Sequence, residues 1–324
     1  MWKRFEQMKS WPGGIRGWLR LALGSPQFGR AWSLWVVLGL VGLPGCASVD
    51  EWARAKVYRP MVVEGLPQWQ DLVADRPDVK TFFVPVGADG DRVAVLSVPA
   101  NGSVGSRVRV LYLHGTFRHA VRNLPKTAPM VRAGMDVFVP DYRGWGISSA
   151  RLPSEDSIIE DASAVWQALQ TASAPDAQGR PVRWVIYGHS MGSAVAVALA
   201  ERLRGEGRYC ALVLESAFTT FSDVAYEAVG WPGRWLVAMS RQRMDSLAHI
   251  GGAAPPIWFL HGENDSTVPM ALGRRLFDAA PEPKHWAQWP LGHSNLHTDP
   301  TGRYDRLWQE IGTACGGPVA PARP

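Results

Sequence analysis

The sequence predicts an α/β fold, a mostly parallel eight-stranded sheet with helices on both faces, and three observations carry that prediction. From about Lys80 onward, short runs rich in β-branched and aromatic residues alternate with helical stretches. The middle runs are apolar at consecutive positions, as strands covered on both faces are. The first two runs instead alternate polar with apolar, and Gly87-Ala88-Asp89-Gly90 between them reads as a hairpin turn.

In chain order the predicted strands are Thr81–Val86, Arg92–Val98, Arg107–Leu113, Met135–Val139, Arg183–Tyr187, Cys210–Leu214, Pro256–Leu260 and Lys284–Trp289. Between them, Ile158, Ile159, Ala162, Val165 and Leu169 recur at three- and four-residue spacing, as do Ala194, Val197 and Ala198; each set marks one apolar helix face. Asn101–Ser106 and Ser173–Gly179 carry loop composition, and the Pro- and Gly-rich end, residues 316–324, is expected to be disordered. No internal repeat or linker divides the body, so residues 80–315 are read as one domain.

Charge separates the head of the chain from this body. The first 45 residues hold six of the 34 basic residues and one of the 29 acidic ones, which leaves 28 of each in a neutral remainder. A neutral body offers no electrostatic footprint for a phosphate backbone, so nucleic acid is not expected as a partner. The basic head runs into Ala31–Leu43, thirteen nearly uninterrupted apolar residues. That is short of the roughly 20 needed to span a bilayer core but suits a signal-peptide h-region. Leu43-Pro44-Gly45-Cys46 comes next and resembles the lipobox of bacterial lipoproteins, in which the cysteine is acylated and becomes the new N-terminus. Pro44 and the long leader depart from that pattern, and an uncleaved anchor is the alternative. The resemblance implies a signal over residues 1–45, a lipid on Cys46, a tether over 46–79, and attachment to a membrane of the cell envelope. Outside the leader only Cys210 and Cys315 remain. Parity permits a disulfide, but Cys210 opens an apolar strand and is read as a buried free thiol.

In an open parallel sheet ligands gather at the carboxyl ends of the strands, so the residues just past each run are informative. Gly188-His189-Ser190-Met191-Gly192 lies after the strand ending at Tyr187 and opens an apolar helix, the strand–turn–helix setting in which a serine hydroxyl is presented at a sheet edge. Other strands lead to His114-Gly115-Thr116-Phe117, to Asp141–Ser148, to His261-Gly262-Glu263-Asn264-Asp265, and to Leu291-Gly292-His293-Ser294-Asn295. These five motifs, in this order, resemble the serine-hydrolase branch of the α/β-hydrolase superfamily over roughly Thr81 to Gly312; the order Ser, Asp, His is that of the fold.

The resemblance implies roles. Ser190 is the expected nucleophile, His293 the base that takes its proton, and Asp265 the group that orients the imidazole. The backbone N–H groups of Met191 and Thr116 are the expected oxyanion hole, with Phe117 replacing Thr116 if the loop is displaced by one. His297 competes with His293, and Glu215, at the end of its strand, competes with Asp265. His114, His261, Asp141 and Arg143 are read as structural, and His189 as a pocket neighbour of the serine. There is no H-E-x-x-H, paired C-x-x-C or carboxylate cluster, so no metal or other cofactor is expected.

Selectivity in this fold usually resides between the sixth and seventh strands, here a short cap over about 216–255. Phe218, Phe221, Val229, Trp231, Trp235, Leu236 and Met239 in it either line an acyl pocket or pack on the core. The resulting expectation is hydrolysis of small-molecule or lipid-like carboxylic esters through an acyl-enzyme. A thioesterase, peptidase or acyltransferase with the same triad, or a non-catalytic binding lipoprotein, are the alternatives.

Overall fold

The computed structural model describes residues 45–316 apart from 101–106, 174, 176–178 and 255; for 45–49 it describes the backbone alone. Most of the expected signal (residues 1–44) and of the expected tail (317–324) therefore lies outside the described residues. The chain enters through helix α1 (Gly45–Tyr58), strand β1 (Met61–Val62) and helix α2 (Gly65–Val73). Strands β2 (Lys80–Val86), β3 (Asp91–Val98) and β4 (Val108–Leu113) follow, then α3 (Ala120–Arg132), β5 (Asp136–Asp141) and the short β6 (Trp145–Gly146). Next come α4 (Glu155–Ala172), β7 (Arg183–His189), α5 (Met191–Arg202) and β8 (Ala211–Glu215). The cap holds α6 (Phe221–Val229), α7 (Trp231–Met239) and α8 (Ser246–His249). The chain then runs through β9 (Ile257–Gly262), α9 (Met270–Ala279), β10 (Lys284–Trp289) and α10 (Arg303–Ala314).

The main sheet has eight strands in the order β10-β9-β8-β7-β4-β5-β3-β2. Strand β3 runs antiparallel to both neighbours, and every other pairing is parallel. Alternate residues of the central strands feed two cores: Leu111, Leu113, Ile186, Leu212 and Leu214 meet Ile158, Val165 and Val197 of α4 and α5 on one face. Val110, Tyr112, Val185, Tyr187 and Val213 meet Leu124, Met130, Trp308 and Ile311 of α3 and α10 on the other. Burial on both faces is why these strands lack alternation; each fully buried Leu or Val contributes about 1.5–3 kcal/mol.

Strands β5, β7, β8 and β9 run one or two residues past their predicted ends. The additions include Asp141, His189, Glu215 and Gly262, which keep ladder partners although the apolar run has stopped, as His189 does with Glu215. The strands therefore carry polar groups rigidly to the sheet edge.

Residues 46–79 are more than a tether. Tyr58 is fully buried and its hydroxyl donates to Gln242 Oε1 (2.7 Å); Trp69 is buried and its indole donates to Thr81 Oγ1 (3.1 Å). Arg54 donates to the carbonyl oxygens of Pro153 (2.7 Å) and Leu152, and β1 pairs with β6 as a separate two-stranded sheet. The free-thiol reading of Cys210 is corrected as well: Cys210 forms a disulfide with Cys315, 105 residues away. Cys210 immediately precedes β8 and Cys315 immediately follows α10, a long-range relation that the local apolar pattern around Cys210 does not contain.

Candidate active site

The turn after β7 carries Ser190 with φ 56° and ψ −123°, a left-handed conformation unfavourable for a residue with a β-carbon. Its neighbours enforce it. A β-carbon at Gly188 would lie 2.2 Å from the Gly192 carbonyl oxygen, and one at Gly192 would lie 2.0 Å from that of Leu113. Only glycine lets β7, α5 and the end of β4 approach this closely. The Ser190 N–H donates to the Glu215 carbonyl (2.9 Å), tying the turn to β8.

His293 sits in the loop after β10, shaped by the Gly292 N–H donating to Asn295 Oδ1 (2.8 Å). Its Nδ1 is 2.8 Å from Asp265 Oδ2 and its Nε2 is 2.9 Å from Ser190 Oγ. A carboxylate only accepts, so Nδ1 carries the proton and Nε2 offers a lone pair to the serine hydroxyl. Asp265 Oδ1 accepts from the N–H groups of Thr267 (2.9 Å) and Val268 (2.8 Å), which fixes the carboxylate. Burial works to raise the Asp265 pKa, but the hydrogen bond and charge of His293 and the Val268 N–H outweigh it and hold the group below the ordinary aspartate value.

The structure brings Asp265 to His293 and leaves Glu215 elsewhere. Glu215 is fully buried; Tyr187 (3.0 Å) and Tyr304 (2.6 Å) donate to its Oε2, and Lys126 Nζ lies 3.3 Å from its Oε1. Burial lowers the Lys126 pKa against the opposing pull of Glu215. The serine hydroxyl is met by His293, while His297 lies in the short helical turn Leu296–Thr298 and His285 stacks on Trp258.

Thr116 lies beside the serine turn, where a β-carbon at the preceding Gly115 would stand 3.2 Å from Ser190 Cβ. The Trp145 indole donates to the Thr116 carbonyl (3.0 Å) and so holds the Thr116–Phe117 peptide, on the far side of Thr116 from its N–H. Met191 opens α5, so its N–H has no acceptor within the helix. Among the described residues the Thr116 N–H makes no bond within the protein either. Phe117 is half-exposed, with the Arg59 guanidinium 4.7 Å from its ring centre.

Sequence reasoning missed how much His189 does. Its Nε2 donates to the His293 carbonyl (2.8 Å), and the two rings lie 5.0 Å apart. Burial pushes its pKa well below the ordinary histidine value, with the charge of Lys126 adding to the shift, so the ring is neutral. Ser216, at φ 51°, donates to the same carbonyl (3.3 Å). A histidine next to the serine was the available signal; its partner, 104 residues away, was not visible in the sequence. His114 is buried with Nε2 3.2 Å from Asp141 Oδ1, and Arg143 donates to Asp161 Oδ1 (2.7 Å), consistent with structural roles. Cys46 lies in the first turn of α1.

The cap divides the aromatic residues assigned to it. Phe218 and Phe221 are buried and stack at 5.3 Å, and Val237 joins the same core. Val229, Trp231, Trp235 and Met239 are turned outward, 59–67% exposed, so neither the pocket-lining nor the core-packing expectation holds for them.

Residues 105–229 match the family model described as serine aminopeptidase, S33. An uncharacterized protein of Mycobacterium tuberculosis is 31% identical over 244 residues, spanning 73% of this chain and 76% of that protein. The lysophosphatidylserine lipase ABHD12 of Danio rerio is 33% identical over 189 residues, 54% of this chain; the chain spans about half (48%) of that protein's length. Among solved structures, an α/β-hydrolase of Vibrio vulnificus superposes with a TM-score of 0.62 at 19% identity, covering 79% of this chain and 91% of that one. An esterase of Pyrococcus furiosus gives 0.60 at 18% identity, covering 80% and 97%. With the sheet order, the serine turn and this likeness along most of its length, the chain belongs to the α/β-hydrolase superfamily.

Proposed function

We propose that this protein is a serine hydrolase that cleaves carboxylic esters through an acyl-enzyme at the cell envelope. The observation that carries the reading is the continuous relay from Asp265 through His293 to Ser190, with bonds of 2.8 and 2.9 Å. Ser190 Oγ attacks the ester carbonyl carbon while its proton passes to His293 Nε2, and the imidazolium is stabilised by Asp265. The carbonyl oxygen becomes an oxyanion that accepts from the Met191 and Thr116 N–H groups, donors worth about 3 kcal/mol each in the transition state. Collapse breaks the acyl–oxygen bond, and His293 returns the proton to the departing alkoxide. Water then attacks the acyl-enzyme with His293 again as base, releasing the acid and Ser190.

The lipase activity in the name of the Danio rerio relative supports a lipid-like ester as substrate. An amide substrate is the second reading, because the matched family is named for a serine aminopeptidase. Fluorophosphonate labelling tests the nucleophile: the protein is expected to label and Ser190→Ala to stay unlabelled. A folded protein that does not label, or label that survives Ser190→Ala, overturns the assignment. Esters of increasing chain length beside aminoacyl amides then separate the two readings.

The envelope location is supported by the Cys46 motif and by the Cys210–Cys315 disulfide, a bond that persists in oxidising compartments. Cys46→Ser is expected to weaken attachment to membranes; attachment as strong as that of the parent protein would count against a lipid on Cys46 and favour an uncleaved anchor.

A further inference from the structure

Helices α6 and α7 pack through Gly233, whose β-carbon would stand 2.4 Å from Val229 Cγ2 and 2.7 Å from the Ala225 carbonyl oxygen. Phe221, Gly233 and Val237 face inward. On α7 the spacing of Trp231, Trp235 and Met239 forms one stripe at four-residue intervals, and it points outward: 62%, 67% and 59% exposed. Val229 (67%) and Tyr226 (38%) extend it onto α6, and the Tyr226 and Trp231 rings meet edge-on at 5.5 Å. Large side chains left in water on one face of a folded helix pair mark a contact surface.

We infer that this face of the cap is a membrane-contact surface that seats in the headgroup region of a bilayer. Three observations select lipid as the occupant. First, the stripe is aromatic and accompanied by cations: Arg234 lies with its guanidinium 5.6 Å from the Trp231 ring and 6.0 Å from the Tyr226 ring, and Arg241 and Arg243 come just after α7. Residues 221–243 hold those three arginines and two acids, Asp223 and Glu227. Arg234 lies 4.0 Å from Asp223 Oδ1, and Arg241 and Arg243, both exposed, supply the positive charge that complements anionic lipid. Tryptophan and tyrosine are the residues that settle at the membrane–water boundary, with arginine stems covering apolar surface beside them.

Second, the face adjoins the point where the chain enters the body. Asp50 of α1 accepts from the Arg241 N–H (3.0 Å) and from Gln242 Nε2 (3.0 Å), both just past α7. Trp52 on the same helix is 49% exposed. The apolar run ends at Leu43 and α1 begins at Gly45. Third, the cap springs from Ser216, which bonds the His293 carbonyl, so the lipid-facing helices are rooted at the same sheet edge as Ser190. A lone acyl chain holds a protein on a membrane only marginally, and a second apolar contact makes the attachment lasting.

The test places an environment-sensitive dye at Met239→Cys, with Glu206→Cys as control, in full-length Cys46→Ser protein mixed with phosphatidylglycerol–phosphatidylethanolamine vesicles. Glu206 is in the loop before β8, at the opposite end of the parallel strands from Ser190. The dye at 239 is expected to shift to the blue and to be quenched by nitroxide-bearing lipid, and the dye at 206 to do neither. No quenching at 239, or equal quenching at both sites, overturns the inference. A blue shift that grows with protein concentration and ignores the nitroxide assigns the face to a second copy of the chain and also overturns it. In the unlabelled protein, Trp231→Gln with Trp235→Gln is expected to lower turnover of a vesicle-embedded ester about tenfold and to leave a soluble short-chain ester unaffected. Fluorophosphonate labelling of Ser190, independent of the dye, shows separately whether the hydrolase reading stands.

Discussion

Two carboxylates reach the same edge of the sheet and end in opposite circumstances. Asp265, in the loop after β9, commits one oxygen to two backbone N–H groups and the other to His293. Glu215, at the end of β8, is closed off by Tyr187, Tyr304 and Lys126. The first can respond to charge appearing on an imidazole. The second already has its charge countered and its acceptors occupied, and it holds the floor beneath the serine turn. What separates the two is the partner each carboxylate is given: the imidazole of His293 for Asp265, two tyrosines and a lysine for Glu215.

The largest effect expected to break this comparison is on turnover. Asp265→Asn is expected to lower kcat on the order of 10⁴-fold, because an amide no longer selects the Nδ1–H tautomer of His293. Glu215→Gln is expected to stay within about tenfold. The reverse ranking, from ester kinetics on folded variants, would exchange the two roles.

Stability sharpens the comparison from the other side. Lys126→Met leaves Glu215 buried without its cation and is expected to cost about 3–5 kcal/mol in urea unfolding. Adding Glu215→Gln removes the stranded charge and is expected to recover part of that loss. A double variant less stable than the sum of the singles would contradict the pairing.

The smallest effect is the pH dependence of stability. Burial is the main cause lowering the pKa values of His119, His189, His261 and His297 in the folded state. The unfolded chain takes up protons at these positions below about pH 6.5, and the folded chain takes up fewer, so stability is complete above that pH and declines below it. Asp161, pushed up to about 6 by burial, acts in the opposite sense as one group against four. The lowered Asp265 contributes only in a window below the ordinary aspartate range. A urea midpoint lower at pH 5 than at pH 7.5 is expected, and a higher one would refute the balance.

Legibility in the sequence depended on which relations are local. The succession of strands along the chain and the placing of Ser190 and Asp265 were legible because each of those motifs succeeds an apolar run that declares a buried strand; His293 follows the half-exposed β10 and was legible from its motif. The folding of residues 46–79 was not, because single anchors such as Tyr58 and Trp69, with partners such as Gln242, hold it in place instead of a periodic face. The His189 bond to His293 and the buried charge of Lys126 depend on contacts across the sheet edge. The cap was recognisably apolar, yet periodicity alone did not say which of its residues face out, since Phe221 and Trp231 look alike in a composition window.

The Cys210–Cys315 bond closes a covalent ring that contains Asp265, His293 and the whole of α6, α7 and α8, with Ser190 outside it. A protease that cuts once in the outward-facing cap therefore opens a ring instead of releasing a fragment. Both pieces remain one molecule, and the nick becomes visible only after reduction.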